Sequence, residues 1–373
     1  MKKALSLLLC ALAALCPFRV HAADVPETQA KAFVLYCPQS GELLASDNPD
    51  KRMKPASTTK LMTTLLTLEQ AAKDNEEVTF TNEMTAEGSS MYLKPGERVT
   101  LRDLAAGMMM ASGNDAANAA AVTIAGDSQR FARLMNDRAE EIGMENTHFV
   151  TPSGLDDDDH YSTAYDLALL MAQGLRNEDF ARLTAQKSAL VSFVQPQNKR
   201  VTYNNHNRLL TLYEHCVGGK TGYTSTAGRC LVSAAEKDGV TLICVTLDDR
   251  NDWNDHIRLY EYGFGQRALY RSEDASFTAE VPVVGGEETR VTVEGDRDFS
   301  LTVDAEDKDK IERKILLDRF LYAPVSEGQE VGRIEYRLRG KRVGGTALRA
   351  AADVPARKKR GLPELIKDLF THG

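Results

Sequence analysis

The stretch Pro55-Ala56-Ser57-Thr58-Thr59-Lys60 decides the fold, because it opens a helix predicted to run from about Ser57 to Ala72. Three leucines recur at helical spacing along it, at Leu61, Leu65 and Leu68. Ser57 and Lys60 lie nearly one helical turn apart, so the hydroxyl and the amine share a face and can hydrogen-bond. A serine becomes a strong nucleophile when a base takes its proton. Lysine can be that base if burial or another cation lowers its pKa.

A second polar triplet, Ser112-Gly113-Asn114, lies between two predicted helices. The first of these starts at Thr100 with a capping box, and the second is alanine-rich and ends near Ala125. The serine can relay a proton, while Asn114 can hold a peptide carbonyl or fix Lys60. Ser46-Asp47-Asn48 fits the same template, but it precedes Ser57 in a turn between strands and is predicted to be a solvated loop.

A third triplet, Lys220-Thr221-Gly222, occurs once and follows two glycines. A strand edge here would let an extended peptide pair with the enzyme backbone. Gly222 permits close approach, Thr221 offers a hydroxyl to a carboxylate, and Lys220 supplies positive charge that lowers the pKa of Lys60. The backbone N–H groups of Ser57 and Tyr223 would then form an oxyanion hole. Each triplet is a weak signal alone; their occurrence together and in this order is specific.

The amino terminus predicts export. Lys2 and Lys3 precede an apolar run from Ala4 to about Leu15, and small residues allow cleavage after Ala22. This pattern is typical of a secretory signal peptide over residues 1–22. The mature chain is long enough for two domains, and a net charge of -8 argues against general nucleic-acid binding.

The remaining chain is predicted to be an α+β protein with three parts. Residues 23–268 mix helices with two β-rich runs that flank a turn, residues 269–352 read as a small all-β domain, and residues 353–373 form a basic linker and an amphipathic helix. One face of that helix is apolar, at Leu362, Leu365, Ile366, Leu369 and Phe370. With the basic run 357–360, it favours a helix lying on a membrane surface over one docked on the protein or a frayed tail.

Neither the cysteines nor the acidic run predicts a metal site. Cys37, Cys216, Cys230 and Cys244 of the mature chain show no Cys-x-x-Cys spacing. A disulfide between Cys230 and Cys244 is conceivable, but buried free thiols are favoured. The acidic run 156–159 before His160 lacks the alternating ligands of a calcium loop and is predicted to be a solvated turn.

Together the three triplets resemble those of the low-molecular-mass penicillin-binding proteins that are D-alanyl-D-alanine carboxypeptidases, a trio also shared with class A β-lactamases. The likeness covers nearly the whole chain. Supporting stretches are Gly113-Asn114-Asp115-Ala116-Ala117, Thr151-Pro152-Ser153-Gly154-Leu155, His160-Tyr161-Ser162-Thr163-Ala164 and Lys220-Thr221-Gly222-Tyr223-Thr224. The resemblance implies a penicillin-binding/β-lactamase-like transpeptidase domain, an antiparallel sheet with helices, followed by a small β domain and a terminal helix.

The resemblance also implies the chemistry. Ser57 would attack the carbonyl between two D-alanines of a peptidoglycan stem peptide, with Lys60 as general base and Ser112 and Lys220 as the proton path to the leaving group. Penicillins would acylate Ser57, and neither metal nor organic cofactor is implied. The enzyme would act at the outer face of the cytoplasmic membrane. A substrate carboxylate usually needs an arginine besides Thr221, and Arg250 is the candidate.

Three alternatives remain. A β-lactamase shares the triplets, but no Glu-x-x-Leu-Asn pattern stands between Asn114 and Lys220, and a β domain with a basic terminal helix has no evident use there. A D,D-endopeptidase would use the same site. A non-catalytic cell-wall-binding scaffold is disfavoured because degenerate relatives usually lose one of the site residues, and none is lost here.

Overall fold

The computed structural model describes residues 24–358. The predicted signal peptide, residues 1–22, therefore lies outside the described residues, as does the predicted amphipathic helix. Within the described range, no helix combines the length and the apolar character that crossing a bilayer requires.

A mixed domain occupies the first part of the chain. Its strands are β1 Ala32–Cys37, β2 Glu42–Asp47, β3 Glu77–Thr79, β4 Arg98–Thr100, β5 Ser188–Ser192, β6 Arg200–Asn204, β7 Cys216–Thr224, β8 Gly228–Lys237 and β9 Val240–Leu247. Its α-helices are α1 Lys60–Lys73, α2 Leu101–Met110, α3 Asn114–Ala125, α4 Ser128–Ile142, α5 Ala164–Leu175, α6 Glu178–Thr184, α7 Leu209–Leu212 and α8 Asp252–Gln266.

Five strands form the central antiparallel sheet, in the order β2-β1-β9-β8-β7. Side chains of β1 alternate between its two faces, as strand geometry requires. Val34 and Tyr36 join the core of helices α1 to α6, whereas Phe33 and Leu35 pack toward α8. The sheet is thus buried on both sides, and β7 is left at an edge.

Periodicity and capping explain the helices near the site. As predicted, Thr100 caps α2, because its hydroxyl accepts from the backbone N–H of Asp103 and the Asp103 carboxylate accepts from the backbone N–H of Thr100. The predicted helix at Ser57 differs in its first turn: residues Ala56–Thr59 form a 3-10 turn and the α-helix begins at Lys60. A 3-10 start is common at helix ends.

The carboxyl-terminal module is all β. Its strands are β10 Arg267–Ser272, β11 Thr278–Val284, β12 Arg290–Gly295, β13 Phe299–Asp304, β14 Glu312–Leu317, β15 Leu321–Tyr322, β16 Glu330–Leu338 and β17 Lys341–Ala350. Six of them form a sheet in the order β14-β16-β17-β12-β11-β15, while β10 pairs with β13. Its core includes Val293, Ile334, Tyr336 and Leu348. The predicted domain boundary at residue 268 falls inside β10.

The conceivable disulfide between Cys230 and Cys244 does not form. In the β8–β9 register Cys230 stands opposite Leu247, and Cys244 stands opposite Ser233. Cys230 packs with the helical core and Cys244 with the core beneath α8, on the other face of the sheet. Both thiols are buried and free, the arrangement that the sequence favoured.

Candidate active site

The turn that carries Ser57 is unusually tight. Ala56 adopts a left-handed conformation with φ of 49°, which is uncommon for a residue with a Cβ and is typical of functional turns. Gly154 packs against the Ala56 carbonyl so closely that a Cβ there would overlap it. This turn leaves the Ser57 side chain half-buried, facing a cleft, at the amino-terminal end of α1.

Lys60 is fully buried and has three oxygen partners. Its Nζ lies 2.9 Å from Ser57 Oγ, 2.7 Å from Asn114 Oδ1 and 2.7 Å from the Ser153 carbonyl oxygen. The last two oxygens can only accept. A neutral amine has two N–H groups, which these two acceptors take, so its lone pair is left to face the Ser57 hydroxyl.

Two buried lysine side chains, Lys60 and Lys220, determine the proton chemistry of the site. Burial, with the nearby charge of Lys220 second, lowers the pKa of Lys60 well below its ordinary value, although Asp115 acts against this. Burial alone lowers the pKa of Lys220 to about 7. Because like charges shielded from solvent repel each other, burial and Lys220 both favour the neutral form of Lys60.

Ser112 links the second and third triplets. Its backbone is left-handed, with φ of 54°, and Lys220 Nζ donates to its Oγ over 3.0 Å. Asn114 is oriented separately, because its Nδ2 donates to the Glu87 carbonyl over 2.6 Å and so turns Oδ1 toward Lys60. The sequence offered two uses for Asn114, and the geometry places it against Lys60.

A loop over residues 87–93 supports this arrangement. Both carboxylate oxygens of buried Asp115 accept from the loop: Oδ1 from the Met91 backbone N–H, and Oδ2 from the Leu93 backbone N–H and the Ser90 hydroxyl. The Asn114 backbone N–H donates to the Ser89 carbonyl. Asp115 appeared in the sequence only as part of a resembling stretch, since its contacts are made across the fold.

Strand β7 brings the third triplet beside the nucleophile. It lies at the edge of the central sheet, so one side of it has no partner strand within the described chain, where Gly219 bonds Thr184 Oγ1 instead. A Cβ on Gly222 would lie 2.9 Å from the Pro55 carbonyl oxygen and 3.0 Å from the Ser57 nitrogen. Gly222 therefore lets the nucleophile turn lie close to the strand, while the predicted approach of a peptide here stays a prediction. Tyr223 follows it and is 68% exposed.

Ser57, Ser112, Thr221, Gly222 and Tyr223 line one cleft with a volume of about 400 Å³. The other lining residues are Ser89, His206, Arg208, Arg229, Cys230, Asp252 and Trp253. Arg229 forms a bidentate ion pair with Asp252, in which Nη2 donates to Oδ1 over 2.8 Å and Nε donates to Oδ2 over 3.1 Å. Arg208 has no ion pair among residues 24–358.

The structure does not bring Arg250 into this group. Its side chain is exposed at the turn before α8, and it does not line the cleft. Arg208 and Arg229 are the cleft arginines instead. Sequence spacing could not reveal this, because Arg208 precedes the third triplet by a loop whose path depends on α7 and β7.

His160 was also missed as part of the site. Its Nδ1 accepts from the backbone N–H groups of Val150 and Thr151, at 3.1 and 3.2 Å, so its proton lies on Nε2, 2.9 Å from Thr59 Oγ1. Burial lowers its pKa to about 4. His160 thus ties the segment that supplies the Ser153 carbonyl to the nucleophile turn. The acidic run before it is an exposed turn.

Ser46-Asp47-Asn48, which fits the same template as Ser112-Gly113-Asn114, is exposed at the end of β2 and in the following turn. It lies outside the cleft, as predicted.

Comparison with known proteins identifies the family. A family model described as D-alanyl-D-alanine carboxypeptidase matches residues 19–251, and one described as penicillin-binding protein 5, C-terminal domain, matches residues 264–356. The D-alanyl-D-alanine carboxypeptidase DacF of Bacillus subtilis is 31% identical over 353 residues, covering 91% of this chain and 88% of its own. DacA of Escherichia coli K12 is 32% identical, covering 93% and 89%.

A solved structure agrees with these relatives. Penicillin binding protein 5 from Haemophilus influenzae superimposes with a TM-score of 0.66 at 30% identity, covering 89% of this chain and 99% of that one. The predicted fold class and family are confirmed. The chain belongs to the D-alanyl-D-alanine carboxypeptidase family of serine peptidases, with the penicillin-binding-protein fold and the all-β carboxyl-terminal domain of that family.

Proposed function

We propose that the enzyme removes the terminal D-alanine from peptidoglycan stem pentapeptides through an acyl-enzyme on Ser57. The observation that carries this proposal is the environment of Lys60. Its two carbonyl partners occupy the N–H groups of a neutral amine, and Ser57 Oγ lies 2.9 Å away on the side of the lone pair. A general base whose nitrogen lies within about 2.6–3.2 Å of the oxygen that it deprotonates satisfies the geometric requirement.

In acylation, Ser57 Oγ attacks the carbonyl carbon of the penultimate D-alanine and its proton passes to Lys60. The tetrahedral oxyanion is held by the backbone N–H groups of Ser57 and Tyr223. As the C–N bond breaks, the Ser112 hydroxyl gives its proton to the departing amine and takes one from Lys220, which donates to it over 3.0 Å. The proton that Lys60 took from Ser57 then passes through Ser112 to Lys220, so both lysines and Ser112 regain their starting states as D-alanine leaves. In deacylation, water attacks the ester carbonyl and gives its proton to the neutral Lys60, which passes it to Ser57 Oγ as the C–O bond breaks and the shortened peptide leaves.

The substrate backbone adds to the free edge of β7 in this proposal, next to Gly222. Its terminal carboxylate is received by Thr221, with positive charge from Lys220 and Arg208. Arg208 replaces Arg250 in this role because it lines the cleft without an ion pair among the described residues. Asn114 serves by fixing Lys60. β-Lactams, which carry a carboxylate beside a strained amide, acylate Ser57 in the same position.

We also propose where the enzyme works. Residues 1–22 have the pattern of a signal peptide, and residues 353–373 combine basic residues with an apolar stripe. Export followed by peripheral attachment to the outer face of the cytoplasmic membrane would place the cleft near nascent peptidoglycan.

The test is D-alanine release from an acyl-Lys-D-Ala-D-Ala tripeptide by the mature protein, Ser57→Ala and Lys60→Ala. Release by the wild type alone is expected, with both variants losing the penicillin adduct but keeping a thermal transition near that of the wild type. Adduct formation without release from a folded wild type would contradict the carboxypeptidase and favour endopeptidase, lactamase or binding activity. Normal acylation of Lys60→Ala would contradict its role as base.

A further inference from the structure

One edge of the carboxyl-terminal module carries exposed apolar side chains, here called the edge patch: Val284, Phe320 and Tyr322. They are 50%, 46% and 70% exposed. Val284 on β11 pairs in register with Tyr322 on β15, and the Phe320 and Tyr322 rings meet edge to face at 5.3 Å between centroids. The three side chains therefore form one continuous surface.

The patch occupies the solvent face of this edge. The residues that alternate with it, Val283 and Leu321, are 6% and 9% exposed and belong to the core of the module. The edge is thus two-sided: one face is packed, and the other presents two aromatic rings and a valine. A protruding side chain such as Tyr322 does not form a groove.

The carboxyl-terminal segment runs directly beside the patch. The Arg357 backbone N–H donates to the Gly285 carbonyl over 2.8 Å, its Nε donates to the Gly286 carbonyl over 3.1 Å, and Ala356 bridges Gly286. These glycines follow Val284 in the chain. The described structure ends one residue later, and the sequence continues with basic residues and then the apolar positions between 362 and 370.

Chemistry selects the partner. Aromatic side chains concentrate where membrane proteins meet lipid headgroups, and basic clusters are attracted to anionic lipids. Here the protruding aromatic rings lie near Arg357, which bonds Gly285 and Gly286, and the sequence continues with three more basic residues, 358–360. If the chain's own terminal segment docked on the patch instead, apolar contact alone would suffice and the basic residues would have no role. The combination fits a lipid surface better.

We propose that the edge patch is a second membrane contact, which inserts Phe320 and Tyr322 into the headgroup region of an anionic bilayer. This inference rests on the proposed membrane attachment of residues 353–373. Two contacts, the terminal segment and the patch, hold the β module against the surface and limit its rotation more than one contact would. The catalytic domain would then present its cleft at a restricted height and angle.

Sedimentation with vesicles of phosphatidylglycerol and phosphatidylcholine tests the proposal with the full mature chain. Phe320→Ser with Tyr322→Ser is expected to weaken partitioning about tenfold, the size expected for removing two partly inserted rings. The matched control is Leu190→Ser with Leu212→Ser, because these leucines are 60% and 48% exposed on the catalytic domain. The control pair should partition as the wild type does.

A fluorescence experiment reports whether position 320 contacts lipid in the bound protein, which sedimentation does not measure. Trp253 is the single tryptophan and lines the cleft, so it serves as an internal reference. In Phe320→Trp, brominated lipids should quench the added fluorescence, while the wild-type emission stays unquenched. Penicillin acylation and a normal melting transition establish that each variant is folded.

The outcomes separate the two claims. If removal of residues 359–373 abolishes binding but the patch variant partitions normally and Trp at position 320 is not quenched, the patch proposal is wrong and the tail attachment stands. If vesicle-free emission from position 320 shifts to longer wavelength when the tail is removed, the tail covers the patch and the lipid proposal is overturned. If the wild type fails to bind vesicles, both claims fail.

Discussion

At the residue scale, the proposed reactivity of Ser57 depends on groups that favour the neutral form of Lys60 and orient its amine. Burial removes the solvation that favours an ammonium, and Lys220 adds a like charge nearby. The Asn114 and Ser153 oxygens then occupy the remaining N–H groups. One of these acceptors belongs to a backbone, so its position depends on whatever fixes that segment. His160 does so through two backbone N–H groups and Thr59.

Replacing His160 should therefore slow acylation, although this residue does not line the cleft. His160→Ala is expected to lower the penicillin acylation rate on the order of tenfold, because the Ser153 carbonyl and the nucleophile turn lose their common anchor. KM should change little, and the acid limb of the rate profile should move. His160→Asn keeps an acceptor for the backbone N–H groups and should recover part of the rate. An Ala variant with the wild-type rate and pH profile would show that the histidine only fills space.

At the element scale, strand β7 and the 3-10 turn Ala56–Thr59 must approach within van der Waals distance. Gly222 makes this possible, since it lies against the Pro55 carbonyl and the Ser57 and Thr58 nitrogens. These contacts join the edge of the sheet to the start of α1. A shift of the strand would therefore displace the Ser57 N–H, which is the oxyanion donor proposed above.

Gly222→Ala tests that coupling. The added methyl must displace β7 or the turn, and loss of one oxyanion donor costs about a hundredfold in rate. We expect acylation to fall by that order while the fold persists, as measured by stopped-flow acylation and thermal melting. Gly265→Ala in α8 is the matched control, because a Cβ there meets nothing within 4 Å. A Gly222→Ala enzyme as fast as the control would contradict the proposed geometry.

At the scale of the whole molecule, buried histidines couple folding to pH. His256 bonds Ser233 and Thr246 between the sheet and α8, and burial lowers its pKa to about 3. Burial also lowers that of His160 to about 4. Both are neutral in the folded state. Asp249 acts in the opposite sense, because burial raises its pKa to about 6.

Stability should therefore fall in mild acid. The pKa of each histidine is lower in the folded state than its value of about 6.5 in the unfolded chain. The free energy of unfolding is therefore highest above about pH 6.5, and it falls as the pH drops, by about 1.4 kcal/mol per pH unit for each histidine. Between about pH 6 and pH 4, the raised pKa of Asp249 offsets the loss of stability caused by roughly one of the two histidines. Melting temperatures measured from pH 7.5 to 4.5 should decline. His256→Asn should show a shallower decline from whatever starting value it has, and an unchanged slope would contradict its share.

Local sequence determined much of this protein. Periodic leucines and the Thr100 capping box predict α1 and α2, because helix geometry depends on near neighbours. The three triplets, with their order, identify the family, since nucleophile, base and proton relay are chemical types that side chains carry with them. The β-rich module was likewise predicted from alternating short segments and turns.

Only the tertiary structure decided which distant groups meet. The register of the neighbouring strands β8 and β9 places Cys230 and Cys244 on opposite faces of the sheet. The Ser153 carbonyl serves Lys60 through its backbone, which no residue type signals. Arg208 lines the cleft where Arg250 was expected, because long-range packing sets the path of each loop. Contacts between elements depend on how the whole chain buries its apolar surface, and short-range sequence patterns do not record that.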